Sequence, residues 1–186
     1  MGVEGVTQGG ADGRMEPTLP APSAERRWLT TVMFTDVVDS TRRAMALGDS
    51  RWLDLAFAHE AMVCDQVRRF RGRVLQRLGD GVLALFRSPA AGVRCGRVLV
   101  ESARGLGIDI RVGLHVGECV RRGGQVRGLV FHVGARVAAA AAPGEVLVSH
   151  TVRDIVMGTD LAFVERGRHV LKGLPGEWPL YAATES

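Results

Sequence analysis

The sequence of 186 residues is poor in cysteine and has no long apolar run. Its three cysteines, Cys64, Cys95 and Cys119, are odd in number, far apart and without a Cys-x-x-Cys pair. They therefore argue against both a disulfide framework and a structural zinc site. No apolar run reaches the ~18 residues of a membrane span, and the N-terminal segment lacks the basic, apolar and small-residue order of a signal peptide. We expect a soluble, cytoplasmic protein with no membrane partner.

Lysine and aromatic residues are also scarce. Lys172 is the single lysine, and aromatic residues make up 5% of the chain. The formal net charge of +4 therefore comes from arginines, which are scattered among acidic residues. A nucleic-acid-binding surface requires a basic stripe with stacking rings, so we expect no nucleic-acid partner.

The hydrophobic content of 46% is enough for one sizeable core. Residues 1–27 are poor in large apolar side chains and rich in glycine, proline and small polar residues, which predicts a flexible tail. We expect one domain over residues 28–182 and a short C-terminal tail over residues 183–186.

The hydrophobic pattern predicts a mixed α+β or α/β sandwich fold. A strand over residues 29–34 is followed by Asp39-Ser40-Thr41, which we interpret as a helix cap. An amphipathic helix covers residues 49–70, and two β-type runs flank the glycine-rich turn at Gly79-Asp80-Gly81, which indicates a hairpin. The remaining predicted elements are a helix over residues 88–105, a strand over 108–117, a helix over 130–142, a strand over 145–149, a helix over 151–157 and strands over 161–165 and 178–181.

Two aspartates suggest a metal site. Asp36 and Asp80 each follow a short apolar, strand-like run. Mg²⁺ is usually held by one or two carboxylates together with the phosphates of a nucleotide, so two loop aspartates provide enough protein ligands. The alternative is that both residues are simple turn formers.

Six segments, in this order, resemble the catalytic domain of class III nucleotidyl cyclases in the form common in actinobacteria. They are Phe34-Thr35-Asp36-Val37-Val38-Asp39-Ser40-Thr41, Leu78-Gly79-Asp80-Gly81, Ile110-Arg111-Val112-Gly113-Leu114-His115-Val116-Gly117-Glu118, Val133-Gly134-Ala135-Arg136-Val137, Pro143-Gly144-Glu145-Val146-Leu147-Val148-Ser149 and Leu171-Lys172-Gly173-Leu174-Pro175-Gly176. The resemblance covers residues 28–182. It implies a ferredoxin-like βαββαβ core and a head-to-tail dimer with active sites built from both chains.

The resemblance also implies roles for individual residues. Asp36 and Asp80 would bind two Mg²⁺ or Mn²⁺ ions per active site, and Arg111 and Lys172 would contact the substrate phosphates. Arg136 matches the transition-state arginine of the family. His132 stands where many members have an asparagine that orients the ribose, and it can still donate one hydrogen bond as a neutral imidazole. His132 and Arg136 are four residues apart on a predicted helix and therefore share a face.

Base recognition departs from the family pattern. Gln76 and Gln125 occupy the positions where adenylyl cyclases of the family have a lysine and an aspartate. A glutamine amide offers both a donor and an acceptor, so it could satisfy an adenine or a guanine edge. The substrate preference is therefore left open by these two positions.

The resemblance leads to the hypothesis of a homodimeric purine nucleotide cyclase. It would convert ATP, or less expectedly GTP, to a 3′,5′-cyclic nucleotide and pyrophosphate. A heterodimer with another cyclase chain remains open. The alternative is a weakly active or inactive cyclase-like domain that binds nucleotide or dimerises and regulates a partner. A palm-type polymerase or diguanylate cyclase would share the carboxylate-bearing sheet, but the Gly-Gly-Asp/Glu-Glu-Phe turn is missing from the sequence.

Overall fold

The computed structural model describes residues 25–184, which form one sheet flanked by helices. The strands are β1 (Arg26–Val37), β2 (Arg73–Arg77), β3 (Val82–Phe86), β4 (Ile110–Arg122), β5 (Gln125–Arg127), β6 (Val146–Ser149), β7 (Ala162–His169) and β8 (Trp178–Thr184). The helices are α1 (Ser40–Leu47), α2 (Asp49–Arg69), α3 (Pro89–Gly105), α4 (Leu129–Ala140) and α5 (His150–Ile155).

The strand order is β2-β3-β1-β4-β6-β8-β7, and β5 pairs with β4 outside this path. The pairs β2–β3, β3–β1 and β1–β4 are antiparallel. The crossover from β1 to β2 contains α1 and α2, and the crossover from β3 to β4 contains α3. This is the predicted ferredoxin-like βαββαβ core, and the α+β fold class is confirmed. Strand β6 joins β4 in parallel, with α4 as the crossover.

Both faces of β1 are buried because helices cover the sheet on both sides. Met33 belongs to a core formed with α2 and α3, whereas the adjacent Val32 packs in a second core with Val130 at the start of α4. Successive side chains of a strand point to opposite faces, so this alternation follows directly from the strand geometry. The continuous apolar stretch at residues 32–34 is thus typical of a central strand that is buried on both faces.

Two glycines let α4 lie unusually close to the sheet. A Cβ atom on Gly134 of α4 would lie 2.5 Å from Cγ2 of Val32, and one on Gly113 of β4 would collide with the backbone of Ala138. Any larger side chain at either position would push the helix away from β1 and β4. The height of α4 above the sheet is therefore set by these two residues.

The first crossover contains two helices divided at Gly48, which has a φ of 77°, and α2 begins at Asp49 as predicted. Asp39 precedes α1 with a φ of 55° and makes no side-chain cap hydrogen bond; its carboxylate pairs with Arg42 instead. The interpretation of the Asp39 side chain as a helix cap is therefore wrong. By contrast, α3 begins where it was predicted, and Ser88 caps it by accepting a hydrogen bond from the backbone N–H of Ala91 at 3.3 Å.

The ends of the folded region extend past the predicted domain. Strand β1 begins at Arg26 and β8 ends at Thr184, so both strands reach two residues beyond residues 28–182. The rest of the two predicted tails, residues 1–24 and 185–186, lies outside the described residues, and the tails remain a prediction. None of the helices within residues 25–184 combines the length and apolar character that crossing a membrane requires. The cytoplasmic location remains a prediction.

Candidate active site

The sheet brings Asp36 and Asp80 to the same end of two neighbouring strands. Thr35 of β1 pairs with Val82 of β3, and the backbone N–H of Val82 donates a hydrogen bond to Oγ1 of Thr35 at 3.0 Å. The turn that carries Asp80 packs so tightly against β1 that a Cβ atom on Gly81 would lie 2.1 Å from the carbonyl oxygen of Thr35. Only glycine fits there, and this close approach holds the Asp80 turn beside Asp36.

The pKa of Asp36 is raised above its ordinary value. The largest cause is burial, the second is the negative charge of Asp80, and the positive charge of Arg111 opposes both. The carboxylate of Asp36 thus lies in a place where negative charge is poorly compensated by the protein itself. A divalent cation between the two carboxylates would relieve this repulsion.

The donor set suits a hard cation that retains other ligands. Residues 25–184 contain no group of three or more His, Cys, Asp or Glu side chains arranged to hold a metal ion. Such a group would be expected of a closed zinc site, whereas Mg²⁺ needs only one or two carboxylates when substrate phosphates and water complete its shell. The pair of carboxylates therefore fits Mg²⁺ or Mn²⁺ bound together with a nucleotide.

Arg111 lies next to Asp36 because the two residues face each other in the register of β1 and β4. Nη1 of Arg111 is 3.9 Å from Oδ2 of Asp36, a distance at the limit of an ion pair. Its Nε atom is buried and has no hydrogen-bond partner within residues 25–184. A buried N–H without an acceptor is costly, so this guanidinium has unused capacity to bind an anion. We call Asp36, Asp80 and Arg111 the aspartate cluster.

His59 on α2 lies close enough to Asp80 for the charge of that carboxylate to act on the pKa of its ring. It is 3% exposed, and its Nε2 atom has no partner within the described part of the chain. Burial lowers its pKa, while the charges of Asp80 and Glu60 act in the opposite direction. The helical periodicity of residues 49–70 predicted the burial of His59, but it carried no signal of what the ring would face.

A second group of predicted site residues is gathered on and around α4. His132 and Arg136 are exposed on the same face of this helix. Together with Gln76 on β2 they line an open groove of about 470 Å³. The close packing of Gly134 on β1 fixes this face relative to the sheet.

The loop between β7 and β8 brings Lys172 to the same region. Nε of Arg136 donates a hydrogen bond to the backbone carbonyl of Lys172 at 3.1 Å. The terminal nitrogens of Arg136 have no hydrogen-bond partner among residues 25–184 and remain available for a ligand. The structure thus brings the backbone of Lys172 into direct contact with Arg136.

Gln76 and Gln125 line a second open groove, of about 560 Å³, between β2 and the β4–β5 hairpin. Gln125 is already occupied: its Oε1 accepts hydrogen bonds from Nε and Nη2 of Arg127 at 3.1 and 2.5 Å. Arg127 lines both grooves and was missed by the sequence reasoning. Its spacing of two residues from Gln125 was the available signal, because such residues share a face of a strand. We call Gln76, Gln125, Arg127, His132, Arg136 and Lys172 the α4 cluster.

Across residues 25–184, no side-chain hydrogen bond or ion pair joins a member of the aspartate cluster to a member of the α4 cluster. Each cluster contains functional groups that lack a protein partner. Both clusters therefore have groups left for a ligand.

Known proteins share both the sequence and the fold. No protein-family model matches the chain. It is 32% identical over 142 residues to an uncharacterized protein of Mycobacterium tuberculosis, covering 75% of this chain and 37% of that protein. It is 31% identical over 176 residues to "Putative adenylate cyclase 3" of Rhizobium meliloti, covering 89% of this chain and 30% of that protein. The chain thus spans about a third of the length of these curated relatives.

Among solved structures, the adenylyl cyclase CyaB of P. aeruginosa superimposes with a TM-score of 0.82 at 19% identity. The match covers 88% of this chain and 97% of that one. The resemblance to class III adenylate and guanylate cyclase domains is thereby confirmed, and the chain has the fold of these catalytic domains.

Proposed function

We propose that this chain is the catalytic domain of a purine nucleotide cyclase that converts ATP or GTP to a 3′,5′-cyclic nucleotide and pyrophosphate. The observation that carries the proposal is the pair Asp36 and Asp80, held together beside Arg111 at one end of a cyclase-type sheet. The alternative, that both aspartates only form turns, leaves two observations unexplained. These are the close packing of the Gly81 turn against β1 and the unpaired, buried N–H of Arg111.

Asp36 and Asp80 would hold Mg²⁺ or Mn²⁺, two ions per active site in the proposal. When bound, these ions would lower the pKa of the ribose 3′-hydroxyl and neutralise charge on the triphosphate. The raised pKa of Asp36 supports the assignment, because a cation would stabilise both carboxylates in their ionised form.

The chain's own cations would position and neutralise the triphosphate. Arg111 would contribute its partly exposed guanidinium, Arg136 its two terminal nitrogens and Lys172 its ammonium group. The 3′-oxygen forms a bond to the α-phosphorus, the bond from the α-phosphorus to the bridging oxygen breaks, pyrophosphate leaves and the hydroxyl proton passes to water. Phosphoryl transfer depends chiefly on such positioning and on the stabilisation of developing negative charge.

His132 would orient the ribose, and Gln76 and Gln125 would contact the base. His132 and Arg136 share a face of α4, so they could act on the same nucleotide. A neutral imidazole supplies one N–H donor, which is sufficient for a single ribose oxygen.

The lack of a direct polar contact between the two clusters supports a head-to-tail homodimer. In such a dimer, the aspartate cluster of one chain would face the α4 cluster of the other, and the opposite charges of the two clusters would complement each other. Each of the two active sites would then draw on both chains.

The first test measures cyclic nucleotide formed from ATP and from GTP by the purified protein with Mn²⁺. We expect product from the wild type and none from Asp36→Ala. Asp54→Ala, at an exposed position on α2, is the matched control and should retain activity. Absence of product from the wild type above the Asp36→Ala background would refute the proposal.

The second test is complementation between inactive variants. An equimolar mixture of Asp36→Ala and Arg136→Ala chains should form heterodimers with one intact site, which gives about a quarter of wild-type activity after random exchange. A mixture of Asp36→Ala and Asp80→Ala is the control, because both lesions fall in the same cluster and should stay inactive. Failure of the first mixture, with exchange shown independently, would contradict the shared sites.

A further inference from the structure

The groove that holds both glutamines contains no carboxylate. The ionisable and amide side chains that line it are Arg73, Gln76, Arg121, Gln125 and Arg127. Its remaining lining consists of Leu75, Val126 and Gly124. Apart from the amide oxygens, the side chains of this groove therefore offer hydrogen-bond donors only.

The contact between Gln125 and Arg127 removes one of those two amide oxygens from use. Arginine has five N–H donors and no acceptor, so the atom of Gln125 that faces it must be the carbonyl oxygen. Two N–H groups of Arg127 converge on this oxygen. The amide of Gln125 is thus held in one orientation, and the group left for a ligand is its NH₂.

The fixed pair presents only donors to a purine base. The NH₂ of Gln125 and the remaining N–H groups of Arg127 can both donate, and neither can accept. Guanine carries two adjacent acceptors, O6 and N7, whereas adenine has an amino group in place of O6. Guanine can therefore use both acceptors on this pair, whereas adenine offers N7 alone and would need the amide oxygen of Gln76 as the acceptor for its amino group.

We propose that Arg127, together with the Gln125 amide that it orients, selects guanine over adenine through O6 and N7, so that GTP is the preferred substrate. This inference rests on the proposed function, because it assumes that the groove receives the base. It replaces the expectation that ATP is preferred. The sequence left both glutamines open because an amide can donate and accept, and the contact with Arg127 restricts Gln125 to donating.

A purely structural role for Arg127 makes a different prediction. Its hydrogen bonds to Gln125 span only two residues within β5, so they could serve merely to stiffen the β4–β5 hairpin. In that case replacing Arg127 would lower thermal stability and change the binding of all purine nucleotides by the same factor. The ratio of GTP to ATP affinity distinguishes the two roles, because loss of a purely structural contact would leave this ratio unchanged.

The test is a competition binding assay on the full chain with Mn²⁺ and a fluorescent GTP analogue, in which GTP, ATP and ITP are the competitors. ITP retains O6 and N7 but lacks the 2-amino group of guanine. We expect GTP and ITP to bind more tightly than ATP by about 10- to 100-fold, the discrimination typical of a bidentate arginine contact to O6 and N7.

Arg127→Ala should bring the GTP-to-ATP affinity ratio close to one, and Arg127→Lys should do so in large part, because lysine lacks the forked donors. Arg122→Ala is the matched control: Arg122 lies on the same hairpin, lines neither groove and should leave the ratio unchanged. A preference for ATP in the wild type, or a ratio that Arg127→Ala leaves intact, would overturn the inference. ITP binding as weakly as ATP would also overturn it, because recognition would then depend on the 2-amino group.

The assay does not depend on turnover, so it separates the two proposals. Selective GTP binding without cyclic nucleotide formation would refute the cyclase proposal and leave the assignment of Arg127 standing. Cyclic nucleotide formed preferentially from ATP would support the cyclase proposal and refute the assignment of Arg127. If the Arg127 variants fail to fold, the wild-type ranking of GTP, ITP and ATP still decides the question.

Discussion

Lowering the pH from 7 to 4.5 should destabilise the protein through His115. This residue of β4 is 7% exposed. Its Nδ1 atom lies 2.8 Å from Oγ of Ser149, and its ring meets the indole of Trp178 edge to face, with 6.0 Å between the centroids. These neighbours accommodate a neutral imidazole, and none of them compensates the charge of an imidazolium.

Burial first, and the charge of His150 second, lower the pKa of His115 to about 4. In the unfolded chain the imidazole has a pKa of about 6.5, so between pH 6.5 and 4 the unfolded state binds a proton that the folded state does not. The free energy of unfolding therefore falls as the pH falls through this window. At pH 4.5 the loss relative to pH 7 is about 2.5 kcal/mol from this residue alone.

The assay is urea unfolding at pH 7 and at pH 4.5 for the wild type and for His115→Gln, whose neutral amide can still hydrogen-bond to Ser149. The pH-dependent loss should be smaller in the variant by about 2.5 kcal/mol. His59, which is also buried with a lowered pKa, contributes equally to both proteins and cancels in the comparison. His169→Gln, at a partly exposed position, is the matched control. An identical pH-dependent loss in wild type and His115→Gln would refute the reasoning.

Three further predictions concern the candidate site. Gly81→Ala should reduce cyclase activity by at least about tenfold and the free energy of unfolding by about 1 to 3 kcal/mol, because the new Cβ collides with the carbonyl of Thr35. Thermal melts and activity assays measure the two effects. Gly105→Ala is the control and should be tolerated, because its Cβ meets no neighbouring atom. His132→Asn should raise kcat a few-fold, since an amide supplies both a donor and an acceptor to the ribose, and a fall in kcat would contradict the ribose assignment. Arg136→Lys should lower kcat by about 100-fold with little change in KM, because the forked donors that stabilise the transition state are lost; a change confined to KM would contradict that role.

The parts of the fold that the sequence predicts well are those with local causes. The β2–β3 hairpin follows from the glycine-rich turn around Asp80, and the start of α3 follows from Ser88 and Pro89. The start of α2 at Asp49 follows from the apolar periodicity that begins at that residue. The left-handed backbone at Asp39 was missed because aspartate is common both in helix caps and in such turns.

The candidate site shows the same division between local and distant causes. The motifs predicted which residues to consider, yet the contact between Asp36 and Arg111 depends on the register of β1 with β4, two strands separated by some seventy residues in the chain. Strand β5 has only three residues, too few for a recognisable alternation, so the two-residue spacing of Gln125 and Arg127 was a weak signal of their contact and was missed.

The distribution of charge gives the physical reason why one chain should be insufficient. Asp36 and Asp80 repel each other, and within the described residues Arg111 is the one basic side chain that forms an ion pair with either of them. Arg136 on α4 contacts the backbone of Lys172 in the loop between β7 and β8, and neither side chain forms an ion pair within the described residues. Both arrangements are unfavourable in isolation, and each supplies what the other lacks once divalent cations and a triphosphate lie between them. A polyanionic substrate is therefore not only the reactant of the proposed site but also the component whose charge makes the approach of the two clusters favourable.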